Sequence, residues 1–455
     1  MHSPISSTWR LLILGFSIIA GSYLRFDSAI STTIDHPVRA DAAQYTAYAF
    51  NLKAYGVYSH DFGVLRNTGV KPGPDAQRSP GYPFFLLPFT YQPNLERFYR
   101  LVVFTQVLLS ILVIPLSYWL TRKTLGDIGG LAVAVLTAFS PHLVVANSYL
   151  LTETLFSLLL VLGLCLASSR PETAHSSRWL LAGLILAVAA LVRPTLQYFV
   201  VFLAIFLLLE RSRSAGWRAT IYTSLPFLGV FSVWLLRNWF SLHTLSDPTL
   251  TINTLYQGMY PDFMYEGRKE TFGFPYRFDP NASSIGASLD NTLAAIAHRF
   301  ESRPWEHIVW YLSKPLYLFQ WDIISGQGDA FVYPATYSPY YDKPLFAWSH
   351  DIMKWLHPLL IWSSFAGAMA AWLPRHSLRL TESQWFTARL LSLTYLYFIF
   401  VHIAGSPFPR YAVPIRPLSY GLGLLTPYLI YLQLLPRRTA RVVRVGRNKR
   451  SDCAG

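Results

Sequence analysis

Trp9-Arg-Leu-Leu-Ile-Leu-Gly-Phe-Ser-Ile-Ile-Ala-Gly-Ser-Tyr-Leu24, closed by Arg25, is followed by Arg39-Ala-Asp41-Ala-Ala-Gln-Tyr45-Thr-Ala-Tyr48-Ala-Phe-Asn51-Leu-Lys-Ala-Tyr-Gly56-Val-Tyr-Ser59. The first stretch is apolar, lacks a convincing small-x-small cleavage site, and reads as a retained membrane span. In the second, Asp41 suits an N-cap and Ala42 to Lys53 is rich in helix formers without Gly or Pro, so a helix is expected that stops at Gly56. At helical spacing Asp41, Tyr45 and Tyr48 share one side. An acid opening a short helix just after a span is an acid held at a membrane surface. Taken alone, Asp41 reads more simply as a cap, since caps far outnumber catalytic acids; the rest of the chain reverses that.

The chain has 455 residues, 52% of them hydrophobic and only 14% charged. Soluble domains carry about 25% charged residues, so the composition is that of a membrane protein. A net charge of +14 would suit nucleic acid, but the arginines sit between apolar runs and in the tail. Positive charge so placed fixes topology and meets anionic lipid. The composition therefore argues against a nucleic-acid partner. Cys165 lies in an apolar run and Cys453 in the tail, which gives no disulfide framework. No zinc-like Cys/His spacing, P-loop or dinucleotide fingerprint occurs. A divalent metal is compatible with the chemistry considered below, but no clear ligand cluster supports one.

After the first span, residues 26–97 are too polar to cross a bilayer and form a first long loop holding the Asp41 helix and Arg78-Ser-Pro80-Gly81-Tyr82-Pro83. Apolar runs follow at about 98–120, 128–147, 152–168, 179–192, 195–209 and 219–236. Two are shorter than the roughly 20 residues that span a bilayer, so tilt or joining to their flanks is expected there. Residues 237–350 form a second long loop, dense in Tyr, Trp and Pro, with interfacial helices expected near 284–302 and 304–321. Apolar runs resume at about 352–373, 385–403 and 411–434, and a basic tail, 436–455, ends the chain. The expected fold is all-α, a single polytopic domain of about ten transmembrane helices with two long extracytoplasmic loops.

Charge sets the expected orientation. With the N-terminus cytoplasmic, the short inner connections hold Arg122 and Lys123; Arg170 and Arg178; Arg211, Arg213 and Arg218; and Arg375 and Arg379, with the basic tail on the same side. That is the positive-inside pattern. It implies a multi-pass protein of the plasma (inner) membrane, both termini cytoplasmic, both long loops outside.

Polar residues then collect at the outer ends of the spans: Asp41, Arg78, His142, Glu153, Arg193, Arg237 and Arg410, the last within Pro409-Arg410-Tyr411. Singly each has a plain explanation, such as Arg193 or Arg410 snorkelling to headgroups or Glu153 capping its helix. Gathered on one face, two acids with several arginines suit a phosphate-linked substrate. Arg holds phosphate with two parallel hydrogen bonds and stays charged, and a carboxylate can take the proton of a hydroxyl nucleophile. Greasy spans beside wet loops suit a donor with a lipid tail and a sugar head.

The chain resembles the GT-C superfamily of polyprenyl-phosphate-dependent glycosyltransferases, particularly the bacterial branch related to protein O-mannosyltransferases and to the lipid A aminoarabinose transferase. The resemblance rests on Asp41-Ala-Ala-Gln-Tyr45, Asn51-Leu52, Gly56-Val-Tyr58-Ser59 and Arg78-Ser-Pro-Gly-Tyr-Pro83. It continues in Thr152-Glu153-Thr-Leu-Phe156, Arg193-Pro194, Arg237-Asn238 and Arg410-Tyr411-Ala-Val-Pro414. It implies Asp41 as catalytic base and Arg78 and Tyr82 near the donor phosphate. Arg193, Arg410 and Tyr411 are expected there too, with Tyr45, His142 and Arg237 as further candidates. Many relatives carry Asp-Glu at the first motif; here Ala42 follows Asp41, and Glu153 is the candidate for the missing acid's role. Partial burial beneath Tyr45 and Tyr48 is expected to raise the Asp41 pKa against the pull of the helix N-terminus.

The expected reaction is inverting transfer of a hexosyl or pentosyl group from a polyprenyl-phosphate donor to a hydroxyl of a lipid, glycan or protein, in contact with membrane lipid. A glycan polymerase or ligase with a lipid-diphosphate donor is the alternative. A transporter of lipid-linked sugar ranks below both, because transporter sites lie near the midplane in repeated halves.

Overall fold

The computed structural model describes residues 6–209, 213–261, 275–323 and 329–435. Arg211 and the basic tail lie outside the described residues. Chain order begins with α1 (Ser7–Ser31), strand β1 (Thr33–Ile34), α2 (Ala40–Tyr55), α3 (Gly81–Leu86) and α4 (Leu95–Phe139). There follow α5 (Pro141–Val145), α6 (Glu153–Ala167), α7 (Ser176–Val192), α8 (Phe199–Leu208) and α9 (Arg213–Leu242). The second loop contributes α10 (Thr249–Gly258), α11 (Ala282–Ile285), α12 (Leu289–Ser302), α13 (Pro304–Leu318) and β2 (Ala335–Tyr337). Last come α14 (Pro344–Ala370), α15 (Arg375–Leu378), α16 (Glu382–Ala404) and α17 (Arg416–Leu434).

Helices stand at all ten expected span positions. The second and third are the two limbs of α4, which turn at Gly126, where a φ of 74° suits a residue without a side chain. By length and composition, α1, α4, Ser214–Leu242 of α9 and α16 can each cross a membrane, whereas Glu153–Ala167, Ser176–Val192 and Pro194–Leu208 are shorter. Fifteen helical residues reach about 22 Å against a hydrocarbon core of about 30 Å, so these shorter helices need their flanking turns to complete the crossing. Apolar side chains outside the core face the lipid: along α14, Trp348, Ile352, Trp355, Leu359 and Trp362 recur every three or four residues and are all exposed.

The basic connections meet at one end of the bundle. Arg170 Nη1 lies 2.5 Å and Arg375 Nη1 2.9 Å from Glu382. Lys123 donates to Ser168 at 2.6 Å, Gln384 donates to the Thr124 carbonyl at 2.9 Å, and Arg218 reaches the Pro171 carbonyl at 3.4 Å. At the opposite end the two long loops interlock. β1 pairs antiparallel with β2, Thr33 opposite Tyr337 and Ile34 opposite Ala335, and Lys343 grips Asp27 at 2.7 Å. α13 is amphipathic: Trp305, Ile308, Val309, Leu312 and Leu316 are exposed on one side, while His307, Trp310 and Lys314 are buried on the other. That face suits the membrane boundary.

Candidate active site

The Asp41 helix starts two residues earlier than its sequence suggests. Arg39 is the N-cap, with no side-chain hydrogen bond, and Asp41 is the second helical residue. The turn into the helix holds Ala40 at φ 45°, a left-handed conformation that costs about 1–2 kcal/mol for a residue with a Cβ. Tyr333 lies over the Arg39 guanidinium at 5.5 Å and donates to the Arg39 carbonyl. The second loop thereby braces the strained turn.

Freed from capping, the Asp41 carboxylate points to two arginines. Arg78 Nη2 donates to Oδ1 at 2.6 Å, and Arg410 Nη2 donates to Oδ2. Arg78 is also held by Gln44, Nε to Oε1 at 2.8 Å, with Tyr45 against its guanidinium at 5.4 Å. Arg193 Nη1 is 3.4 Å from Glu153 Oε1, both side chains buried, and its guanidinium lies over Tyr411 at 4.7 Å. Planar guanidiniums stacked on rings are fixed in orientation as well as charge. Arg193 occupies the break where α7 ends and a short turn, Pro194–Leu196, begins, and Arg410 lies in the turn Pro409–Ile415 before α17.

These groups line one cavity of about 360 Å³, shared by Asp41, Tyr45, Arg78, Glu153, Arg193, Arg410 and Tyr411. Three guanidiniums face two carboxylates, leaving one positive charge. The other wall is apolar, built from Leu250 and Leu255 of α10 with Phe400, Val401 and Ala404 of α16. At its flank Tyr198 and Phe400 are each 62% exposed, on surface the bundle turns to lipid. Gln197, Thr195, Thr251, Thr254 and His402 also line the space, and none of these was singled out in the sequence. His402 carried a readable signal, as an ionisable residue ending the apolar run Phe398-Ile-Phe-Val. The α10 residues carried none.

Three sequence candidates lie elsewhere. Tyr82 is fully buried behind Tyr45, ring centroids 5.1 Å apart, and donates to Gln106 at 2.8 Å. Arg237 does not end its helix, since α9 continues to Leu242; it donates to the Asp75 and Tyr58 carbonyls at 2.7 and 3.2 Å. His142 is buried on α5, its Nε2 2.7 Å from the Trp321 carbonyl, and borders a separate void of about 10 Å³ that Glu153 and Arg410 also touch. Tyr48 leaves Asp41 too: it stacks on Tyr58 at 4.2 Å and donates to Asp75, a carboxylate that also takes Ser59 and His60.

The expected rise in the Asp41 pKa is reversed. Burial does oppose its ionisation, but the charges of Arg410 and Arg78, with their hydrogen bonds, hold the carboxyl well below the usual carboxylate range. With both oxygens on guanidiniums, Asp41 does not fit a divalent cation. Among the described residues no group of three His, Cys, Asp or Glu is arranged to hold a metal.

A helical membrane bundle with a charged cavity at the end bearing two interlocked loops is a GT-C-like fold. Comparison agrees at the level of the fold. The archaeal oligosaccharyltransferase AglB from Archaeoglobus fulgidus, in complex with an inhibitory peptide and dolichol-phosphate, superposes over 98% of this chain and 52% of its own, with a TM-score of 0.53 and 13% identity. An Archaeoglobus fulgidus oligosaccharyltransferase in the apo form matches over 92% of this chain and 50% of its own, with a TM-score of 0.52 and 13% identity. The chain thus spans about half the length of these proteins. ArnT from Cupriavidus metallidurans, bound to undecaprenyl phosphate, aligns over 94% of this chain and 78% of its own at 12% identity, but its TM-score of 0.35 is too low to carry weight. By sequence, residues 98–236 match the family of dolichyl-phosphate-mannose-protein mannosyltransferases. No curated protein matches. The GT-C resemblance read from the motifs stands.

Proposed function

We propose that the protein transfers one sugar from a polyprenyl-phosphate donor to a hydroxyl acceptor at the extracytoplasmic face of the inner membrane, both termini being cytoplasmic. The observation that carries this reading is the two-sided cavity. Its charged wall has one unbalanced positive charge, the complement of a phosphodiester monoanion, and its apolar wall runs out to lipid between Tyr198 and Phe400. A soluble sugar nucleotide would have no use for the second wall. The AglB structure with dolichol-phosphate and the family matched by residues 98–236 point to the same donor class.

In this reading the acceptor oxygen attacks the sugar C1 from the side opposite the phosphate. The C1–O bond breaks, its electron pair leaves with the polyprenyl phosphate, and the configuration inverts. The acceptor proton passes to Asp41. A carboxylate held by two guanidiniums is a weak base, since its pairing would be lost on protonation. The donor resolves this conflict. Its phosphate oxygens compete for Arg78 and Arg410, so part of each guanidinium's charge moves from Asp41 to the leaving group just as the acceptor must lose its proton. Glu153 keeps Arg193 in place beside them.

The test is equilibrium binding of polyprenyl phosphate to the purified protein. Arg78→Ala and Arg410→Ala should each weaken it by roughly ten- to a hundredfold, the worth of about 1.5–3 kcal/mol for a charge-assisted hydrogen bond. Arg78→Lys, which keeps the charge and loses the fork, should recover only part. Unchanged affinity in the alanine variants would remove the phosphate from this cavity.

A further inference from the structure

Three polar atoms on the cavity wall are buried and have no partner: Glu153 Oε2, Thr195 Oγ1 and His402 Nε2. Their neighbours are all occupied. Glu153 Oε1 faces Arg193 Nη1 at 3.4 Å, and the Thr195 carbonyl accepts from Tyr397 at 2.6 Å. His402 Nδ1 lies 2.7 Å from the Phe398 carbonyl, which can only accept. Nδ1 therefore carries the hydrogen, and in the neutral ring Nε2 presents a bare lone pair. His402 is 2% exposed and Glu153 5% exposed, so bulk water does not satisfy them. Buried polar groups left unpaired are costly and call for an explanation.

The Thr195 hydroxyl can both give and take a hydrogen bond, whereas Glu153 Oε2 and His402 Nε2 lack hydrogen-bond donors. A phosphodiester has none to offer, and neither does a lipid tail. A cation is disfavoured, because Arg193 already matches the Glu153 charge and Arg78 and Arg410 stand nearby. Sugar hydroxyls fit: each can donate to an acceptor-only atom and accept from Thr195. We propose that Glu153, Thr195 and His402 form a hydroxyl-binding subsite for the donor's sugar, with His402 Nε2 and Glu153 Oε2 each accepting from one hydroxyl. This rests on the cavity being the lipid-phosphate site. It gives Glu153 a positioning contact with substrate in addition to its hold on Arg193.

The experiment measures binding of bare polyprenyl phosphate and of polyprenyl phosphate carrying mannose, glucose or arabinose. The proteins are the full chain, His402→Phe and His402→Gln. In the wild type at least one sugar-bearing lipid should bind about tenfold or more tighter than the bare lipid. His402→Phe should lose roughly three- to tenfold of that preference, the range of one hydrogen bond, while holding bare lipid within twofold. His402→Gln, whose amide oxygen reaches about as far as Nε2, should recover part. An unaltered sugar preference in His402→Phe, or an equal loss for bare and sugar-bearing lipid, would overturn the subsite. So would a wild type that binds bare lipid and gains nothing from any sugar. A wild type that binds no polyprenyl phosphate would instead refute the reading of the cavity itself.

Discussion

Replacing Asp41 with Asn should separate binding from chemistry. The Asp41 carboxylate is 23% exposed, and its partners Arg78 and Arg410 are 15% and 19% exposed. Removing one partner of a buried ion pair costs about 3–5 kcal/mol, and the residual exposure here places the cost near the lower end, about 3 kcal/mol. The free protein should therefore unfold at a lower temperature. The donor should behave oppositely. Asp41→Asn raises the cavity's balance from one positive charge to two and removes the acid that competes with phosphate. Unit charges 4 Å apart interact by about 4 kcal/mol at an effective dielectric of 20, so even partial screening leaves room for about a tenfold gain in polyprenyl-phosphate affinity. Saturating lipid should then restore much of the lost thermal stability. Turnover should nevertheless fall by about 10²–10⁴-fold, the usual contribution of a general base. The assays are thermal unfolding with and without polyprenyl phosphate, beside the transfer rate of the same preparation. Near-normal turnover, or donor affinity that falls with stability, would refute the reasoning and leave Asp41 a structural anchor for its arginines.

At Gly81 an added Cβ would sit 2.6 Å from the Val192 nitrogen and 2.7 Å from the Leu191 carbonyl carbon, so Gly81→Ala should force α3 from the end of α7, cost about 1–3 kcal/mol and loosen both Arg78 and Arg193. Urea unfolding and lipid affinity should both show it. Burial pushes the Lys314 ammonium down to about 7, where it donates to the Ile403 and Gly405 carbonyls. Unfolded Lys titrates near 10.4, so between these values the folded protein binds fewer protons and stability should rise with pH from about 7 to 10. Lys314→Met should flatten that slope in a pH series of thermal unfolding. In a background without Cys165 and Cys453, Thr68→Cys and Ser302→Cys should label with an impermeant thiol reagent in intact cells while Ser377→Cys stays protected; the reverse pattern would place the cavity in the cytoplasm.

The span pattern was legible because a bilayer imposes length and composition on every crossing, and charge clusters mark the connections. What periodicity could not show was which atoms a polar side chain would choose. Asp41 looks like a cap by local rules, yet two arginines hundreds of residues apart in part, Arg78 and Arg410, bid more for its oxygens than the helix amides do. Tyr48 has the right spacing to flank Asp41 and is diverted by Asp75, a residue of the same loop with no motif around it. Arg237 was read at a helix end because the apolar run stops there, whereas Trp239, Phe240 and Leu242 carry the helix on. The α10 wall was illegible for a different reason: Leu250, Thr251, Thr254 and Leu255 acquire meaning only when α16 packs beside them.

The most direct test of sugar transfer from a polyprenyl monophosphate is the identity of the spent lipid. Purified protein is supplied with the sugar-bearing polyprenyl phosphate it binds best and with an envelope extract as acceptor, and the lipids are read by mass spectrometry. Release of polyprenyl monophosphate, matched by an acceptor heavier by one sugar and abolished in Asp41→Asn, is the predicted result. Polyprenyl diphosphate as the product of an extract-borne donor, with the monophosphate-linked sugar left intact, would contradict it and assign the cavity to a polymerase or ligase.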